Sequence, residues 1–254
     1  MTAGPAAADR LGALAASGWA AQWRADDIDW SVEARPPRWL PARTFVGLVS
    51  QILHGEQATI EMCRTLRPVL ADEAARACLD VQMVDERRHA DAYRRYLDRL
   101  GGAGPMDATL AAALEDAGAT GLGADAAVVA YHVILESEAL DVQRIVMRWV
   151  PCPLLSTIAA RVARDEARHI AFGRTFLTGR LDRLPRDERI ALYRRVKPLW
   201  LECTRSTLAR LDGLGPFQRG MAGRRLIAER WQRQARTLVA IGLVSEAEMA
   251  LADR

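Results

Sequence analysis

Six residues of this chain have the types and spacing of a two-metal ligand set. Asp85-Glu86-Arg87-Arg88-His89 and, eighty residues later, Asp165-Glu166-Ala167-Arg168-His169 both read D-E-x-R-H. Each motif is preceded, thirty residues before its glutamate, by another glutamate: Glu56 before Glu86, and Glu136 before Glu166. Positions three apart on an α-helix stack on one face, so Glu86 with His89, and Glu166 with His169, can each grip one ion. Four carboxylates offset two divalent cations, and the cations are what permit burial, since the same charges alone would be costly to desolvate. A single Glu-x-x-His arises readily on a solvated, salt-bridged helix. Two copies that share the preceding Asp and the Arg before the His, each behind a Glu at equal distance, do not.

The residues beside these six have chemistry of their own. Asp85 and Asp165 can each accept the free N–H of a ligating imidazole and fix its tautomer, with Arg88 and Arg168 neutralising the two aspartates; surface ion pairing is the competing reading. His132 and Gln143 share the helical stripe of Glu136, which leaves an extra ligand, a hydrogen-bond donor, a substrate contact and, for His132, a satisfied core histidine all open. Tyr93, one turn beyond His89, is a further candidate for the chemistry, against core packing. On the first long helix Ser50, His54, Gln57, Glu61 and Arg64 mark an outer face and turn Glu56 inward. On the third, Ser137, Asp141, Arg144 and Arg148 mark the outside, which favours Glu136 over Glu138 on the flank.

The elements that must carry these residues are all helical, with Gly and Pro confined to joints. Residues 1–40 read as an arm of short helical pieces ending in Pro36-Pro37 and Pro41, its tryptophans Trp19, Trp23, Trp30 and Trp39 stapling it to the bundle. Residues 41–254 read as one domain. Long helices are expected over about 42–70, 72–100, 125–150 and 154–181, with a short one over 106–117 as the crossover after Gly101-Gly102 and before a joint at Gly121–Gly123. Pro185 starts a fifth long helix that contains Pro198, and Gly213-Leu214-Gly215-Pro216 separates it from a sixth. The first pair of long helices repeats as the second pair in pattern, with little shared sequence outside the motifs.

Composition narrows the class. At 254 residues, 50% of them hydrophobic, the chain can bury one sizeable core. The N-terminal stretch carries Asp9, Arg10 and Arg24 and has no uninterrupted apolar run, so neither a signal peptide nor a membrane span is expected, and the location is read as cytoplasmic. Cys63, Cys78, Cys152 and Cys203 are too widely spaced for a C-x-x-C metal site and read as reduced thiols. The net charge is +3, with Lys197 the sole lysine. The most basic stretch, Arg219, Arg224, Arg225, Arg230, Arg233 and Arg236, alternates with Phe217, Met221, Ile227, Trp231 and Leu238 at helical spacing. It reads as an amphipathic helix with a solvated basic face rather than a nucleic-acid or membrane contact.

On these motifs the chain resembles the ferritin-like di-iron carboxylate oxidases: bacterial multicomponent monooxygenase hydroxylases, ribonucleotide reductase small subunits, acyl-carrier-protein desaturases and arylamine N-oxygenases. The resemblance covers about residues 42–181 and is specific for the metal site, not for the substrate. It implies a ferritin-like four-helix bundle with additional C-terminal helices. It also implies that Glu56, Glu86, His89, Glu136, Glu166 and His169 hold two iron ions that activate dioxygen, a manganese–iron pair being the variant left open. A homodimer and a small organic substrate that is hydroxylated, N-oxygenated or desaturated go with it. No flavin, nicotinamide or iron–sulfur motif is present, so the electrons are expected from a separate reductase. Three other readings use the same ligands: a ferroxidase or peroxide scavenger, a tRNA-modifying hydroxylase, and a radical protein like the ribonucleotide reductase small subunit. Tyr93 stands where that last family keeps its radical tyrosine, but residues 245–254 contain no Tyr or Trp to relay a radical. Val162 stands where the N-oxygenases have a further histidine.

Overall fold

Proline and aspartate place the helix starts. In the computed structural model, which describes residues 5–118, 123–211, 214 and 220–253, helix α1 spans Pro5–Ala20 and α2 spans Ala42–Leu66, directly behind Pro41. Helix α3 (Glu73–Asp98) is capped by Asp72, whose Oδ1 accepts the Ala75 N–H at 3.1 Å. It ends at Gly101 and Gly102, both at positive φ. The crossover helix α4 (Ala108–Gly118) leads to α5 (Ala124–Val128), a π-helical segment Val129–Leu135, and α6 (Glu136–Trp149). Helix α7 (Pro153–Leu177) carries Pro153 in its first turn, where the missing N–H has no intrahelical partner to lose.

These four long units form the bundle, α2 packed along α3, α6 along α7, and α3 against α7. Along every one of them the polar residues sit between two apolar blocks. On α3, Cys78 and Leu79 belong to one core cluster and Ala92, Tyr93 and Tyr96 to the other, with Glu86 and His89 between them. On α7, Leu155 and Ile158 lie on one side of Glu166 and His169, and Phe172 and Phe176 on the other. A polar layer enclosed between two dry clusters is thereby built across the middle of the bundle.

Four features differ from the sequence reading. The third long helix is not one α-helix: its centre widens into the π segment, which contains His132 and ends at Glu136. Gly173 on α7 makes room for it, since a Cβ there would meet His132 Cβ at 2.6 Å. The N-terminal region is not a string of short pieces: α1 has 16 residues and packs on α3 and α7, burying Leu11 and Ala15. Ser50 is not on an outer face. The loop after α3 covers it, Ser50 Oγ accepting the Gly104 N–H at 2.9 Å and His54 Nε2 bonding Gly104 O at 2.9 Å.

The basic helix is the fourth difference. After α8 (Arg186–Ala209), α9 (Gly220–Ala240) buries Arg230 against Glu138 at 2.5 Å and Asp141 at 3.3 Å, and Arg233 also reaches Asp141. Two acids on α6 thus draw one arginine of this stretch, Arg230, into a packed contact, while Arg225, Arg233 and Arg236 stay exposed on the basic face. The chain ends in α10 (Glu246–Ala252), where Ser245 and Glu248 form a capping box and Glu248 pairs with Arg186 and Arg189. Gly121, Gly213, Gly215, Pro216, Phe217 and Arg219 lie outside the described residues, as do the side chains of Met221 and Arg224. Among the described residues no strand occurs, no disulfide forms, and no helix is long and apolar enough to cross a membrane.

Candidate metal centre

Each helix of the bundle delivers its share of one cluster. Glu56 comes from α2, Glu86 and His89 from α3, Glu136 from the first turn of α6, and Glu166 and His169 from α7; all six are buried. Their donor atoms fall into two groups of four within 4.8 Å of one another, Glu56, Glu86, His89 and Glu166 in one, Glu86, Glu136, Glu166 and His169 in the other. Glu86 and Glu166 belong to both groups.

Both imidazoles turn Nδ1 toward the carboxylates. His89 Nδ1 lies 3.2 Å from Glu56, 3.3 Å from Glu86 and 3.7 Å from Glu166. His169 Nδ1 lies 3.2 Å from both Glu86 and Glu166 and 3.8 Å from Glu136. The opposite nitrogens are held from outside, His89 Nε2 donating to Asp165 at 3.0 Å and His169 Nε2 to Asp85 at 3.2 Å. The aspartates are thus crossed: each serves the histidine of the other motif. Arg88 and Arg168 each bond both aspartates, closing a ring of four charges across α3 and α7.

Without a cation the cluster must share protons. Burial, and then the neighbouring Glu86, push the Glu56 carboxyl well above its ordinary value, and burial with Glu136 does the same to Glu166. For Glu86 burial is outweighed by His169 and His89, which hold it well below. Burial disfavours the imidazolium forms of both histidines, yet the carboxylates, chiefly Glu56 for His89 and Glu86 for His169, win and raise them well above the usual range. Asp165 is held down despite its burial, by His89 and Arg168, and so stays an acceptor. Two inward-facing Nδ1 atoms with tautomers fixed by carboxylates, and four glutamates, suit two cations that prefer mixed oxygen and imidazole donors, such as iron or manganese.

His132 stays apart from both groups. It is neutral near pH 7, burial having pushed it down to about 4, and its Nε2 donates to Gln82 Oε1 at 2.9 Å. Gln82 in turn donates to Glu136 at 2.7 Å and Glu86 at 3.2 Å. Tyr93 is fully buried and donates to Gln143 Oε1 at 2.5 Å. Glu138 turns away from the cluster to Arg230 and to Trp200, whose Nε1 donates to it at 2.9 Å; burial raises its pKa.

Three partners of the site went unnoticed in the sequence. Trp23 Nε1 donates to Asp165 at 2.8 Å, its ring stacked 6.2 Å from His89 and covered by the Arg88 guanidinium at 4.6 Å. Gln22 donates to Asp85 at 2.8 Å and accepts from Arg88. Gln82 had a usable signal, one turn before Glu86 on the same helix face. Gln22 and Trp23 had none, because they sit in the loop after α1, far from either motif. A cavity of about 250 Å³ reaches the cluster between α2 and α6, walled by Phe45, Val49, Ile52, Leu135 and Val146 and touching Glu56, Glu136 and Glu166.

No family model matches the chain, and no curated protein does. Solved structures do. A point variant of an R2-like ligand-binding oxidase with an anaerobically reconstituted Mn/Fe cofactor superposes with a TM-score of 0.69 at 18% identity, covering 89% of this chain and 92% of that one. A second variant of the same description gives 0.68 at 18%, covering 92% and 93%. The R2-like ligand-binding oxidase with an aerobically reconstituted Mn/Fe cofactor gives 0.65 at 18%, covering 92% of each. The chain has their ferritin-like fold. At this identity the likeness shows the fold over nearly the whole chain.

Proposed function

We propose that this chain is a dinuclear-metal oxidase that uses O₂ to hydroxylate, N-oxygenate or desaturate a small, largely apolar organic molecule. The observation that carries the reading is the crossed cluster itself: four glutamates and two histidines in a buried layer, each imidazole aimed inward by the aspartate of the other motif. Glu56, Glu86, His89 and Glu166 would hold one ion and Glu86, Glu136, Glu166 and His169 the other. When bound, a pair of redox-active ions supplies the electrons and the Lewis acidity for O₂ reduction. Two irons are the proposed cofactor; a Mn/Fe pair, the cofactor named for the solved structures, would have the same donors available to it here. Asp85 and Asp165 hold the imidazole tautomers, Arg88 and Arg168 balance their charge, and the two apolar clusters exclude water from the reaction.

The cavity against Glu56, Glu136 and Glu166 favours an organic substrate over ferroxidase chemistry, which needs no such space. The burial of Arg230 and the pairing of Arg233 leave less of α9 for a phosphate backbone, which weighs against a tRNA substrate. A separate reductase as electron donor, a homodimeric assembly and a cytoplasmic location complete the proposal. The test is anaerobic loading with Fe²⁺, or with Mn²⁺ and Fe²⁺, one pulse of O₂, and mass spectrometry of products from a cell extract. A product that requires both metal and O₂ is expected. Oxidation of many Fe²⁺ per chain with no organic product would replace the proposal with a ferroxidase.

A further inference from the structure

Gln143 stands two turns beyond Glu136, fully buried, on the wall of the cavity that reaches the cluster. Its Oε1 accepts the Tyr93 hydroxyl. A phenol hydroxyl is a hydrogen-bond donor at neutral pH. With Oε1 tied to α3, the amide is turned so that Nε2 is left over, and Nε2 has no hydrogen-bond partner although it is buried. A buried N–H₂ without an acceptor is unfavourable, and the cavity walls beside it are apolar.

We propose that Gln143 Nε2 is the donor that selects the substrate: an apolar molecule bearing one neutral acceptor oxygen, as in a ketone, aldehyde, ester or ether, lodged beside Glu56 and Glu166. A neutral acceptor fits better than a carboxylate for a reason of charge. The two arginines on the described cavity wall are already neutralised, Arg210 by Asp107 and Arg230 by Glu138. Four glutamates facing two divalent ions likewise leave no excess positive charge for an anion. An amide N–H holds a carbonyl or ether oxygen without any charge at all, and a site built this way discriminates strongly against the same shape lacking the oxygen. Tyr93 is then a positioning residue, acting on the substrate through Gln143.

This inference rests on the cavity being the substrate's site, and the experiment separates the two. Binding of methyl heptyl ketone, and of the alkene in which CH₂ replaces its oxygen, is measured by calorimetry on the metal-loaded full chain without O₂. Gln143→Leu is expected to weaken the ketone about tenfold while changing the alkene by less than about twofold. Gln143→Met should repeat this should Gln143→Leu unfold, and Tyr93→Phe, which releases the amide, should narrow the difference between the probes. If both probes bind the wild type and the Gln143 variants shift them equally or not at all, the selecting role is overturned and the cavity reading stands. If neither probe binds the wild type, both fall.

Discussion

His89 donates through Nε2 to Asp165 at 3.0 Å, so the histidine of the first motif is oriented by the aspartate of the second. Asp85 returns the arrangement to His169 at 3.2 Å. Asp165→Asn should therefore disturb the ion held with Glu56 and His89, and Asp85→Asn the ion held with Glu136 and His169, each weakening metal binding or O₂ reaction by roughly 10–100-fold with the fold kept. Mössbauer spectra of the iron-loaded variants check this. The same iron site perturbed in both variants would show that the crossing has no consequence.

The cluster has donors for two ions, so the reconstituted protein should hold about two metal ions per chain. Glu86→Ala, which removes a group common to both sets, should lower occupancy of both sites. His169→Ala should spare the site of His89 more than its own. Metal analysis alongside circular dichroism reads both, and at most one ion per chain in a folded, iron-loaded wild type would sink the two-ion reading.

Metal affinity should rise with pH. In the metal-free cluster His89 and His169, with pKa values raised well above the ordinary 6.5, and Glu56 and Glu166, raised well above 4.5, hold protons more tightly than free side chains do. The ligating forms carry none, so binding releases protons and the apparent constant grows as pH increases. Because both imidazoles are shifted upward, the growth should continue above pH 6.5 instead of levelling there. Competition with a chelator whose own pH dependence is known measures it; an affinity flat between pH 6 and 8, on the order of one decade or less in total, would contradict the assigned protonation.

Gly173→Ala sets two effects of opposite sign against each other. Alanine inside a helix gains about 0.5–1 kcal/mol over glycine. Here its Cβ would meet His132 Cβ at 2.6 Å and the His132 backbone at 3.4 Å, and overpacking of that kind costs about 1–3 kcal/mol. Net destabilisation is expected, seen as a lower denaturant midpoint with an unchanged slope.

Tyr93 should not store a radical. Its hydroxyl is committed to Gln143 Oε1. Electron paramagnetic resonance after O₂ exposure should show no persistent tyrosyl signal, and Tyr93→Phe should keep most O₂ consumption. A stable signal lost in that variant would move the chain to the radical-protein reading.

How much of this was legible in the residues follows from the range over which each signal acts. Helix starts at Pro41, Asp72 and Pro153, and the i, i+3 pairs Glu86 with His89 and Glu166 with His169, depend on one or two turns of chain. They could be read directly, as could the inward turn of Glu56 and Glu136. Periodicity says which residues share a face; it does not say what covers that face. Ser50 looked solvent-facing because nothing local announces that Gly104 will close over it, and Arg230 looked solvated because Glu138 and Asp141 reach it only once α9 lies on α6. The crossing of Asp85 and Asp165, and the reach of Trp23 to Asp165 across 142 residues, belong to the packing of α3 on α7 and of the N-terminal region on both. Side chains in those contacts are chosen by geometry in three dimensions, so only the tertiary structure decides which aspartate holds which histidine.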